Sequence, residues 1–160
     1  MNRVILILTI TFMFVLSINA WPGGPSKISL DPPGGWLLLE RANYRVYKGP
    51  KRDGFSPNIT IVEVDFAGSE GEFLESNYAF VRKAFPSYRK VSQAEFHASN
   101  GLIAVRMDGT LDLNSARLFQ SAYLFHEGNR WFVLTASMLE KDSGSLRPII
   151  EKCMKTVSIR

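Results

Sequence analysis

The stretch from Tyr123 to Met138, YLFHEGNRWFVLTASM, constrains the fold more than any other part of the chain. It reads as two strands joined over Glu127-Gly128-Asn129, and both carry apolar side chains at consecutive positions rather than alternate ones. In the first, which begins near Arg117, Phe119, Tyr123 and Phe125 share one face while Leu118, Ala122 and Leu124 share the other. In the second, Trp131 and Val133 oppose Phe132, Leu134 and Ala136. Successive strand side chains point to opposite sides, so a strand apolar at every position must be covered above and below.

Two amphipathic helices are the candidate covers. Ser69 followed by Glu72 fits a capping box, in which the serine accepts from a first-turn amide and the glutamate reaches back to the cap. The spacing of Leu74, Tyr78, Val81 and Phe85 predicts a helix over 69–85 with those residues inward, stopped by Pro86. Near the C-terminus Leu146, Ile149, Ile150, Cys153, Met154 and Val157 form a second apolar stripe, which predicts a helix over 145–156 with Pro148 in its first turn.

Further strands are expected at Trp36 to Glu40, Tyr44 to Lys48, Ile59 to Phe66, Tyr88 to His97 and Leu102 to Met107. Asn100-Gly101 supplies the pair that tolerates the positive backbone angles of a tight hairpin. Residues 49–58 and 108–116, rich in glycine, proline and polar groups, read as loops.

With 160 residues the chain has room for one ordinary domain. Its first twenty residues put Arg3 ahead of an uncharged apolar stretch from Val4 to Ile18, with the small Ala20 before Trp21. That is the layout of a secretory signal peptide over 1–20, and the stretch is short of the roughly 20 residues that a spanning helix needs. Residues 21–35 are a proline- and glycine-rich leader, and 36–160 form the domain. The net charge is +4, and loss of Arg3 with the signal leaves +3. No run of like charges reaches the length of a binding tail, so nucleic acid is not an expected partner. Cys153 is the only cysteine, so no intramolecular disulfide forms, and it is expected to pack as a small apolar group.

Catalytic patterns are sparse. His126 beside Glu127 has the ingredients of a general base with an orienting carboxylate, but neighbours on a strand face opposite ways. His97 precedes a tight turn. Two histidines and one cysteine are too few and too scattered for zinc. Asp108, Asp112 and Asn114 depart from the calcium-loop spacing and read as turn formers. No nucleophile elbow or phosphate cradle occurs, so no cofactor is expected. Asn58-Ile59-Thr60 matches the glycosylation triplet at a strand start.

FSPNITIVEVDF, a capped helix, NGLIAVRM, LFQSAYLFHEGNRWFVLTASM and an amphipathic final helix follow one another in an order that resembles the PsbP-like superfamily. Within that group, which also holds Ran-binding nuclear import factors, the likeness is nearest to the periplasmic DcrB-like proteins. It covers about residues 36–159, and its signals are Pro57-Asn58, Asn100-Gly101, and Gln120 to Tyr123 leading through a glycine turn into Phe132 to Thr135. The resemblance implies an α+β fold, an antiparallel β-sheet sandwiched between helices. It also implies function by binding, without enzyme activity. The lipid-bearing cysteine common in DcrB-like relatives is missing.

The sequence therefore predicts an exported binding or assembly module of the bacterial cell envelope, periplasmic or secreted, with a protein partner. The candidate contacts are the aromatics near the leader and first loop, Trp36, Tyr44, Tyr47 and Phe55, with Trp21 before them. Their groove would be completed by the 49–58 and 108–116 loops. Two alternatives are a small hydrolase using His126 with Asp108 or Asp112, and a structural subunit anchored by an uncleaved N-terminal helix.

Overall fold

The computed structural model describes residues 27–41 and 44–160. The expected signal peptide, Trp21 and the start of the leader lie outside those residues. The elements in chain order are β1 (Ile28–Ser29), β2 (Leu37–Arg41), β3 (Tyr44–Lys48), β4 (Asn58–Asp65), α1 (Glu70–Ala84), β5 (Arg89–His97), β6 (Ile103–Leu113), β7 (Ala116–Glu127), β8 (Arg130–Leu139), a 3-10 turn (Glu140–Asp142), α2 (Ser143–Met154) and β9 (Ser158–Ile159).

Seven strands form one antiparallel sheet in the order β2-β3-β4-β8-β7-β6-β5. The chain builds one half as a meander, crosses the sheet through α1 to the far edge, and returns strand by strand until β8 pairs with β4. The expected antiparallel sheet between helices is what the molecule has.

The two-sided strands are covered as their pattern requires. On one side Ile59, Ile61, Phe119, Tyr123, Phe125, Phe132, Leu134 and Met138 pack with Leu146, Ile150, Cys153 and Met154 of α2. On the other, Val62, Val64, Leu124, Trp131 and Val133 pack with Phe73 of α1, and Leu111, Leu118 and Leu139 with Val81. We call these the α2 face and the α1 face. Gly101 takes φ +88 in the tight turn before β6, but Asn100 keeps a negative φ, so the glycine alone supplies the positive angle expected of the Asn-Gly pair.

Four readings need correction. The 108–116 segment is not a loop: β6 runs on to Leu113, and the turn is only Asn114 and Ser115, with φ 47 and 67. Aspartate and glycine read as breakers, but here the polar groups find partners inside the sheet. The α1 stripe is displaced, with Phe73, Asn77 and Val81 buried while Leu74 and Tyr78 are only half-buried. Pro148 lies in the second turn of α2 rather than the first. Its ring removes the amide that would bond the Gly144 carbonyl, and both residues are exposed, so water can satisfy that oxygen. Finally, part of the leader belongs to the fold. Ile28 and Ser29 pair with Ile159 and Ser158, and Ile28 and Leu30 are buried in the α2-face core.

Candidate functional site

Strand β2 differs from every other strand: all five of its residues are exposed. It pairs only with β3, in unbroken register from Leu37 opposite Lys48 to Arg41 opposite Tyr44. Leu37, Leu38 and Leu39 are 69%, 45% and 38% exposed. Alternation sends Leu37 and Leu39 to the α1 face and Leu38 to the α2 face, and none of the three joins the core clusters there. Sequence reasoning passed over these leucines, although three in a row on a strand cannot all be inward on a one-sided edge.

The four aromatic candidates stand around this edge but do not form one patch. Tyr47 is 8% exposed and belongs to the α2-face core, against which Trp36 also packs. Tyr44 and Phe55 lie on the opposite side, half-buried against the α1-face clusters. The Trp36 amide donates to the Pro33 carbonyl at 3.2 Å, which closes the turn into β2. Phe55 is held by a narrow loop in which Arg52 and Phe55 exchange backbone hydrogen bonds of 2.7 and 2.9 Å around Asp53 and Gly54. An ion pair from Lys141 to Asp53 ties that loop to the 3-10 turn, and holds the Asp53 carboxyl below and the Lys141 ammonium above their ordinary pKa.

This end of the sheet is basic. Glu40 sits opposite Arg45 on the β2–β3 pair, and Asp53 is taken by Lys141. Arg41, Lys48, Lys51 and Arg52 meet no carboxylate among the described residues. Arg41, Lys51 and Arg52 are exposed, and Lys48 is half-buried. The far edge is different: β5 breaks register between Lys90 and Ser92 and carries Arg89, Lys90 and Glu95, with Val91 at the break 61% exposed.

A second polar grouping lies on the α2 face. Asp108, 2% exposed, accepts from Ser121 at 2.7 Å, Ser92 at 3.0 Å and Arg147 of α2 at 3.2 Å, with Arg106 at 3.5 Å. Arg106 in turn reaches Glu151 at 3.6 Å. The carboxylate is enclosed by its partners, so it clamps α2 to the sheet and is not presented to a substrate. Tyr123 beside it has its phenol pushed up to about 12, chiefly by burial.

His126 is on the α1 face, stacked on Trp131 at 4.5 Å, with Glu70 at 3.6 Å. Phe73 stacks on the same indole at 4.0 Å. Asp108 and Asp112 face the other side of the sheet, and Asp108 pairs with Ser121, five residues along β7 from His126, on the order of 17 Å away. The sheet itself separates the histidine from both aspartates, so the alternative hydrolase pair is not assembled. Neither Asp108 nor Asp112 is a turn former, since both lie within β6; Asn114 alone of the three shapes the turn. The Asn58 side-chain amide is engaged with the Ser56 carbonyl at 3.1 Å. Among the described residues no three potential ligands group as a metal site, and no helix is long and apolar enough to cross a membrane.

No family model matches the sequence, and no curated protein matches it. The fold, however, is shared with solved structures. The PA94 protein of unknown function from Pseudomonas aeruginosa superposes with a TM-score of 0.63 at 14% identity, covering 84% of this chain and 99% of that one. LpqN, described as involved in cell envelope biogenesis of Mycobacterium tuberculosis, gives 0.60 at 18% identity over 86% and 87%. The cyanobacterial PsbP protein CyanoP from Synechocystis gives 0.59 at 8% identity over 86% and 95%. The class that these likenesses define is an α+β sandwich of PsbP type. At these identities they establish the fold and leave function to the surface.

Proposed function

We propose that this chain is an exported, non-enzymatic binding module of the bacterial cell envelope, akin to the DcrB-like periplasmic proteins, that engages a protein partner at the β2 end of its sheet. The observation that carries the reading is the exposure of Leu37, Leu38 and Leu39 on a strand that joins none of the core clusters. Exposed apolar groups gathered on one rigid element and rimmed by charge are the usual form of a recognition surface. Trp36, Tyr44, Tyr47 and Phe55 act from behind it: Tyr47 supports Leu38 from the neighbouring strand, and Trp36 and Phe55 fix the turn and loop on either side. The described role of LpqN in envelope biogenesis, on the same fold, supports the compartment.

Two measurements test this. Mass spectrometry of the native protein is expected to find the N-terminus at Trp21, and an N-terminus at Met1 would instead support the anchored subunit. In-cell crosslinking is expected to join the chain to an envelope protein. The double substitution Trp36→Ala and Phe55→Ala is expected to weaken that crosslink while the fold holds. An unchanged crosslink in a folded variant removes the surface assignment.

A further inference from the structure

The occupant of the β2 edge can be specified further, on the reading that this end of the sheet is the working surface. An edge strand turns every second residue's amide and carbonyl outward, unpaired. Proteins blunt such edges with bulges, charges or covering segments. At β5 the device is the register break at Lys90/Ser92, next to Arg89 and Lys90, although Val91 at the break is itself exposed. At β2 the register is regular and the first three residues are leucines.

Three occupants compete. A lipid surface would accept the leucines but not the open backbone, since each unpaired amide or carbonyl costs several kcal/mol in hydrocarbon. Burying one leucine returns only about 1.5–3 kcal/mol, and these are already partly covered. A second copy of this chain would satisfy the backbone, and an antiparallel pair centred on Leu38 would set Leu37 against the copy's Leu39. It would also bring a second set of Arg41, Lys48, Lys51 and Arg52 toward the first, and the acids it adds there, Glu40 opposite Arg45 and Asp53 paired with Lys141, are fewer than these cations. The chain's own residues 1–26 contain no aspartate or glutamate. An extended segment that is itself acidic meets all three demands. It pairs the backbone, covers Leu37 and Leu39 from one side and Leu38 from the other, and answers the basic rim.

We infer that the outer edge of β2 is a strand-addition site for an extended, acidic segment of a partner protein, with apolar or β-branched residues at its centre. Main-chain hydrogen bonds supply the pairing, the leucines supply contact on both faces, and Arg41, Lys48, Lys51 and Arg52 select for negative charge.

The test uses two synthetic peptides, each a core of alternating valine and threonine, one flanked by glutamates and its twin by lysines. Titrated into the protein and followed by amide NMR, the acidic peptide is expected to shift and protect amides of Leu37–Arg41. The lysine twin is expected to bind at least about tenfold more weakly, the effect of several rim charges acting together. Replacing Leu37 and Leu39 by Ser is expected to abolish the shifts. Reversing the rim with Lys51→Glu and Arg52→Glu, which leaves β2 untouched, is expected to reverse the preference between the peptides.

Equal binding of the twins, shifts centred on β5 rather than β2, or no binding by either peptide overturns the inference. So does leucine-dependent attachment to phosphatidylglycerol vesicles, or leucine-dependent self-association in sedimentation, without charge-selective peptide binding. An envelope crosslink that persists while the peptides fail to bind leaves the binding-module reading intact and removes only the strand-addition site. Peptide binding by a chain found outside the envelope does the reverse.

Discussion

A carboxylate removed from water costs several kcal/mol unless partners hold its charge, and Asp108 has four such partners. Replacing it by Ala takes the acceptor from two serines and leaves Arg147 and Arg106 without their shared anion. A loss of about 3 kcal/mol is expected from denaturant unfolding, the range for breaking a buried pair. Arg147→Ala should cost less, about 1 kcal/mol, because Arg147 is partly solvated and Arg106 and the serines still hold the carboxylate. If the two substitutions proved additive in a double-mutant cycle, the clamp between α2 and the sheet would be refuted. Next to Asp108, Gly109 faces the other side, where a Cβ would lie 2.4 Å from the Tyr88 ring. Gly109→Ala is therefore expected to destabilise by about 1–3 kcal/mol through overpacking, with near-ultraviolet circular dichroism reporting a displaced tyrosine. The sequence marked this pair as a turn because its residue types favour turns; that they were partners in a sheet depended on Ser92, Ser121 and Arg147, all distant in the chain.

At the scale of elements, α1 is where local signals and structure agree best. Ser69 accepts from the Glu72 amide at 3.3 Å while the Ser69 amide donates to the Glu72 carboxylate at 2.7 Å, both halves of the capping box read from the sequence. Hydrogen bonds from Ser69 hold the Glu72 carboxyl below its ordinary value of 4.5. A depressed folded-state pKa contributes stability that is complete above the unfolded value and is lost as pH falls through the folded one. Ser69→Ala is expected to cost about 1 kcal/mol at neutral pH, the usual loss for an N-cap. The difference between variant and parent should narrow below pH 4.5, as the cap glutamate takes up its proton. A gap that widens on acidification counts against the capping box. The inward face of the same helix was less legible. Leu74 and Tyr78 outrank Asn77 in hydrophobicity, yet Phe73 stacking on Trp131 sets the rotation and carries Asn77 inward. Helical spacing gives a stripe to within one position, and the tertiary contact chooses.

Across the whole molecule, the sequence rule that proved most informative was consecutive apolarity in β4, β7 and β8, because only a sheet covered on both faces accommodates it. The candidate site was less legible, since aromatics draw attention by type while exposure is set by which strand lies last in the sheet. Tyr47 lies in β3, whose outer side β2 covers, whereas Leu38 opposite it lies in the last strand of the sheet. The same layering predicts a gradient of protection. In β8 nine of ten residues are buried, whereas in β2 none is. Native-state hydrogen exchange is expected to show β8 amides opening only with global unfolding and the outward amides of β2 exchanging fastest among the strands. Cys153 gives an independent clock for the same event. Its thiol is buried under α2, and burial, with the nearby charge of Asp31, pushes it up to about 12. The buried thiol stays protonated and out of reach at pH 8, so a disulfide reagent must wait for the helix to leave the sheet. Labelling of Cys153 should therefore proceed at the exchange rate of the slowest β8 amides. A much faster rate would mean that α2 lifts off alone and that the Asp108 clamp does not couple it to the sheet.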